Sequence, residues 1–169
     1  MNPNPDKTLP NAAFMEALGA DPDALFRQAV AYCNDKSTPG ITSMLESEYI
    51  SYNAETITLV MAFPCLRWEV SPRDNMMGGI VTTVFDAAMG MLTGYVARGQ
   101  YVTTLDLTTH FIKPVRLGET LIVETQVVSQ GKTILNLRST ARAQSNGQLL
   151  ASAEAAFMIV KSLPANFKG

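Results

Sequence analysis

Hydrophobic positions recur along this chain in two different periods. Leu25, Phe26, Ala29, Val30 and Cys33 fall three and four apart, the spacing of one helical face. Asp21-Pro22-Asp23 ahead of them reads as N-cap, N1 proline and first-turn acid, with Ser37-Thr38-Pro39-Gly40 as the stop. A shorter helix is expected from Asn11 to Gly19, through Phe14, Met15 and Leu18, behind a loose Asn/Pro-rich tail. From Ile41 the period becomes two. Ile57, Leu59, Met61 and Phe63 alternate with Thr56, Thr58 and Val60, which predicts a strand. Ile41 to Ser51 reads as another, with Asn53-Ala54-Glu55 turning between them.

Ile80 to Ala97 follows neither pattern, being apolar apart from threonines, glycines and Asp86. It predicts a helix that opens near Gly78-Gly79 and ends by Arg98-Gly99. These 18 residues fall short of the ~20 that span a bilayer, and a carboxylate sits near their middle. A helix buried on most sides in a soluble protein is the expectation.

Alternation then resumes. Leu105, Leu107 and Phe111 share one face of a strand that Pro114 ends, and Arg116-Leu117-Gly118 makes the bend. Leu121, Val123 and Val127 form the next apolar face, and Leu135, Leu137, Ala141 and Ala143 the one after. Asn146-Gly147 marks a hairpin before Leu149, Ala151, Ala153, Ala155 and Phe157. The expected fold class is α+β: an antiparallel sheet, closing in a four-stranded meander, wrapped around one apolar helix. Residues 1–39 would form an N-terminal tail and helical extension, and 40–169 the main domain.

Composition narrows the function. The 169 residues are 47% apolar, enough for a substantial core, and 13 basic against 15 acidic side chains leave a net charge of −2. That balance does not suit a nucleic-acid partner. Cys33 and Cys65 make no disulfide framework, as expected of a reducing, cytoplasmic setting, and one histidine with two cysteines makes no zinc cluster. The N-terminus has no basic start followed by an apolar run, so neither a secretory leader nor a membrane anchor is expected.

Several chemical signals fail on inspection. Gly131-Lys132-Thr133 lacks the upstream glycine of a phosphate loop, since Gln126 stands there, and reads as a hairpin turn. No G-x-S-x-G elbow or G-x-G-x-x-G fingerprint occurs. His110, a lone strand histidine, is expected to be packed or solvated rather than catalytic. The informative stretch is Asn75 to Asp86. Gly78-Gly79 would expose unhindered N–H groups at the positive end of a helix dipole, able to polarise a carbonyl oxygen. Asp86 is the only charge between Met76 and Ala97. Two readings stand level: a buried carboxylate kept for use, or packing glycines and an aspartate turned to solvent.

The motif Met77-Gly78-Gly79, then Asp86-Ala87-Ala88-Met89-Gly90, then Thr104-Leu105-Asp106-Leu107, then Phe111 to Thr120, resembles the PaaI-type hotdog-fold acyl-CoA thioesterases. The likeness runs from about Ser71 to Val160. It implies a homodimer or homotetramer that hydrolyses acyl-CoA, with no metal and no cofactor beyond the coenzyme A of the substrate. It also implies that Asp86 is nucleophile or general base, that Gly78 N–H is the oxyanion donor beside Gly79, and that Thr104 positions water. Glycine and acid would come from opposite subunits. Two positions depart from the family pattern: its histidine before the glycines is Met77 here, and its substrate-orienting asparagine is Ser71, with Asn75 close by as a substitute. Lys113 and Arg116 are placed to meet coenzyme A phosphates, or simply to be solvated. Met76, Met77, Met89 and Met91 would form a pliable acyl pocket or ordinary helix packing, and Trp68 a core or interface anchor. The alternatives are a hotdog module that binds acyl-CoA without hydrolysis and a hotdog enoyl-CoA hydratase or dehydratase.

Overall fold

The computed structural model describes residues 21–37 and 40–160; the expected Asn11–Gly19 helix and the tail before it lie outside the described residues. Helix α1, Pro22–Cys33, starts as its sequence predicts, with Asp21 Oδ1 accepting the Asp23 N–H at 3.2 Å. Its Phe26 ring meets those of Tyr49, Tyr52 and Tyr95 at centroid distances of 5.8, 5.1 and 4.9 Å. That cluster ties the N-terminal helix to the main body.

The strand expected from Ile41 to Ser51 is shorter than its pattern. Ile41–Met44 is a single helical turn, α2, and β1 covers only Glu48–Asn53. The Ser43 hydroxyl donates to Gly40 O at 2.9 Å and accepts the Gly40 N–H at 3.2 Å, local bonds that compete with extended backbone. Glu46, at φ 48°, completes the break. The turn after β1 is as expected: Asn53 Oδ1 accepts the N–H groups of Glu55 and Thr56.

One antiparallel sheet follows, in the order β1-β2-β4-β5-β6-β3, with β2 Thr58–Pro64, β3 Tyr101–Phe111, β4 Thr120–Gln130, β5 Ile134–Ala143 and β6 Leu149–Val160. The expected four-stranded meander is therefore only three strands long. β3 lies beyond β6 at the sheet edge, and residues 112–119 carry the chain back to β4. Three strand spacings of ~4.8 Å are about 14 Å, well within the reach of eight residues at ~3.3 Å each. A proline-bearing segment of that length has no reason to close a tight hairpin.

Helix α3, Gly78–Val96, lies across the sheet and buries Val81, Val84, Phe85, Ala88, Met89, Leu92 and Thr93. Beneath it β6 presents Ala151, Ala153 and Ala155, whose small side chains let the helix approach. By length and composition α3 would also pass as a membrane-crossing helix. It ends at the predicted signal: Arg98 and Gly99 turn left-handed, and the Gly99 N–H reaches Gly94 O at 3.0 Å. Its burial is not as predicted. Asp86 and Gly79 are exposed, and Thr83, Ala87, Gly90 and Gly94 only half-buried, because one sheet covers one side of a helix.

Glu69 is the buried charge that sequence periodicity does not announce. It closes a 3-10 turn, Arg67–Glu69, with 1% of its surface exposed. Oε2 accepts the Leu66 N–H at 2.8 Å, while Oε1 is buried without a partner among the described residues. Its backbone oxygen accepts the Met77 N–H at 2.9 Å, setting the approach to α3. Burial, with a smaller contribution from the Glu46 charge, pushes the Glu69 pKa up. Burial first, and then the Glu69 charge, pushes the nearby Cys65 thiol up to about 11. A raised carboxyl pKa stabilises the fold fully below the unfolded value, and the contribution is lost as pH rises through the folded value. Glu69→Gln keeps an acceptor for Leu66 without the charge. Chemical denaturation from mildly acidic to neutral pH should show the variant gaining on wild type as pH rises; parallel curves would mean that the carboxyl is not desolvated.

Candidate active site

The site forms where β3 runs along α3. Cross-strand partners share a face of a sheet, so the register with β6 sets which β3 side chains meet the helix. Thr104, Leu107, Thr109 and Phe111 pair with Phe157, Ala155, Ala153 and Ala151, all buried on the helix side. Leu105 falls in a bulge between Thr104 and Asp106 and is 52% exposed, which explains why the simple alternation Leu105-Leu107-Phe111 does not hold. The bulge keeps Thr104 and Leu107 on one face despite their odd spacing.

Three contacts follow down the helix. Thr104 Oγ1 donates to Asp86 Oδ1 at 2.9 Å. The Thr82 and Thr109 hydroxyls lie 3.1 Å apart. The Phe111 ring lies on Gly78, with Cζ, Cε1 and Cε2 at 3.2, 3.4 and 3.6 Å from where a Gly78 Cβ would stand. Asp86 is exposed in the single chain, so the cost of burying a bare carboxylate does not apply. Apart from Thr104, its carboxylate has no hydrogen-bonding partner among the described residues.

At the helix start, Met77 is the N-cap, with no side-chain cap and 55% exposure. Its carbonyl accepts the N–H groups of Ile80 and Val81. Those of Gly78 and Gly79 meet no acceptor among the described residues. Ser71 helps close the preceding loop, its N–H donating to Asn75 O at 2.8 Å and its carbonyl accepting from Asp74 at 2.9 Å. Asn75 pairs by its backbone with Arg116 and carries a buried Oδ1 without a partner among the described residues.

Asn75, Gly78 and Lys113 are brought together around an open pocket of about 380 Å³, whose apolar walls include Val81, Val115 and Leu150. Asp86, further along α3, and Thr104, on β3, do not line it. Met76 is buried against the pocket and Met89 in the core, whereas Trp68, expected as a core or interface anchor, is 40% exposed and so no core anchor. His110 pairs with Ser152 on the opposite face of the sheet from α3, so no histidine from this chain meets Asp86.

A family model described as the thioesterase superfamily matches residues 74–159, half of the chain, from Asp74 before α3 to Ile159 in β6. The chain belongs to the thioesterase superfamily. Membership makes it a thioester hydrolase, and its helix-in-sheet architecture is the hotdog fold. Among similar solved structures, zebra fish thioesterase superfamily member 2 has a TM-score of 0.74 at 20% identity, over 83% of this chain and 100% of its own. The PaaI protein of the Escherichia coli phenylacetic acid degradation operon has a TM-score of 0.68 at 19% identity, over 82% and 94%. A Streptococcus mutans protein bound to acetyl-CoA has 0.60 at 19%, over 68% and 88%. A comparison with curated proteins gives no match.

Within that superfamily fold, the contact between Phe111 and Gly78 is the feature that the sequence did not disclose. Periodicity placed Phe111 on an apolar face but could not say which residue lay under it. A methyl group at position 78 would press on the ring, yet Phe111 is 59% exposed and can yield by a few tenths of an ångström. Alanine also improves on glycine in a helix by up to ~1 kcal/mol. Gly78→Ala should therefore keep its stability within about 1 kcal/mol of wild type in urea denaturation. A loss of several kcal/mol would mean that the ring is locked in place.

Proposed function

We propose that the chain hydrolyses an acyl-CoA thioester to the free acid and coenzyme A. Gly78 N–H would hold the developing oxyanion, and Asp86 would activate water or attack the carbonyl, steadied by Thr104. The observation that carries this reading is the combination of free N–H groups at the start of α3 with a carboxylate held by one hydroxyl on the same helix. Asn75, Ser71 and Met77 border the reacting end, with Gly79 supporting the turn. Lys113 and Arg116 are exposed cations on the 112–119 crossover, suited to the coenzyme's phosphates.

Helix geometry argues for two copies. Gly78 and Asp86 are eight residues apart, about 12 Å along the axis at ~1.5 Å per residue. A nucleophile must lie within roughly 3–3.5 Å of the reacting carbonyl, so a thioester held by one chain's glycine is out of reach of direct attack by that chain's own aspartate. A second copy, packed on the exposed side of α3 and along β3, the last strand of the sheet, would bring its own aspartate to this glycine. We place the working protein in the cytoplasm as a homodimer or homotetramer, acting without metal or added cofactor.

Release of free thiol from a panel of short, long and aryl acyl-CoAs tests the reaction. Asp86→Asn should lower turnover by about 10²-fold or more without unfolding the protein, and undiminished turnover in a folded variant would remove Asp86 from the mechanism. Binding without thiol release would identify the non-hydrolytic module instead. On the assembly, light scattering should give at least twice the 18.3 kDa chain mass, whereas a fully active monomer would refute the two-copy site.

A further inference from the structure

We propose that Phe111 is the specificity-determining residue of this site. Its ring forms the adjustable wall of the pocket beside Gly78 that takes an apolar acyl group, and its bulk limits how large a group fits. The inference rests on the thioester-hydrolase reading of Gly78, and goes beyond it by assigning the pocket and its wall.

The pocket begins at the proposed oxyanion donor, so a carbonyl held there sends its neighbouring carbons either into the pocket or away from it. Val81, Val115, Leu150 and Ala151 offer the carbons an apolar lining, and Lys113 is the one charged residue among those that line the space. A nucleotide diphosphate needs several cations and a pantetheine arm several hydrogen-bonding partners, whereas an acyl chain needs neither. At about 380 Å³ the space is of small-molecule size.

Phe111 controls this space for three reasons. It is the last residue of β3, on the helix side, with its ring 3.2–3.6 Å from the Cβ position of Gly78. More than half of its surface is exposed in the single chain, so no packing within its own chain fixes the ring. The backbone beyond it is fixed, because Ile112 and Lys113 N–H both donate to Leu150 O at 2.9 Å. Pocket size thus changes by rotation or replacement of one side chain, not by opening of the loop.

The test uses S-ethyl-CoA and S-octyl-CoA, thioethers that cannot be hydrolysed, with the full-length protein and its Phe111→Ala and Phe111→Trp variants. Calorimetry should show the octyl-to-ethyl affinity ratio rising about tenfold or more in Phe111→Ala and falling in Phe111→Trp, with unchanged melting temperatures. Hydrolysis of acetyl-CoA and octanoyl-CoA should follow the same order in kcat/KM. Ratios unchanged in both variants would overturn the proposal. So would an equal loss of both ligands, which would mean that the ring supports the coenzyme, or failure of the wild type to bind either thioether. A shifted binding ratio with no hydrolysis by the wild type would sustain the pocket and overturn the hydrolase reading.

Discussion

A single sheet can cover only one side of a helix, and this protein lays its most apolar helix on one sheet. The covered side of α3 carries Val84, Phe85, Ala88, Met89 and Leu92, each fully buried. The other side is built from Gly79, Thr83, Asp86, Ala87, Gly90 and Gly94, small or polar residues that a second surface could approach closely. The helix passes by length and composition for a membrane span, yet it is a core element on one face and open on the other. The edge strand β3 meets the helix at the border between the two faces, at residues 78, 82 and 86, and the proposed oxyanion donor and acid both stand there.

Placing β3 at the edge requires the chain to return across the end of the sheet, and that return builds the mouth of the site. Val115 O accepts the Met76 N–H, Asp74 O accepts from Leu117, and Cys65 O accepts from Gly118. The 112–119 crossover is thus stitched to the loop before α3 and to the chain leaving β2. Glu69 adds the last bond, its carbonyl holding the Met77 N–H. The start of α3 is fixed from both sides, which is what a preorganised donor needs, because N–H groups that must reorganise during reaction lose much of their effect. The unpartnered Glu69 Oε1 is a local cost of that arrangement.

Local signals were legible wherever they depend on neighbours in sequence. The Asp21-Pro22 start, the Asn53 turn, the Gly131 and Asn146-Gly147 hairpins and both ends of α3 stand where their residues predict. Leu59, Met61 and Phe63, and likewise Leu135, Leu137, Ala141 and Ala143, point inward as their alternation requires. What was hidden depends on partners far along the chain. Ile41–Met44 has strand-like residues, but one serine side chain closes a helical turn. The bulge at Leu105 shifts which β3 residues face α3, and only the register against β6 reveals it. The exposure of Asp86 could not follow from an apolar neighbourhood in sequence, because the neighbours at 84, 85 and 88 sit on a different side of the helix. The motif singled out Gly78, Asp86 and Thr104, and the structure joins Thr104 to Asp86 by a direct bond.

Met77 fits this account better as an N-cap than as a replaced histidine. Ser, Thr, Asp or Asn at that position would accept a hydrogen bond from the N–H two or three residues on and stabilise the helix by about 1 kcal/mol. Here the two candidates are Gly79 and Ile80, and Ile80 already donates to the Met77 carbonyl at 2.9 Å. A capping side chain would therefore compete for Gly79, beside the donor proposed to meet the substrate. A thioether cannot compete, since sulfur is a weak acceptor. The helix forgoes about 1 kcal/mol of capping, and the Gly78 and Gly79 N–H groups stay without an acceptor among the described residues, Gly78 at the pocket beside the Phe111 ring. An uncapped start is a defect in a structural helix. At the end of a helix whose first donors must bind something other than the protein itself, it is a requirement.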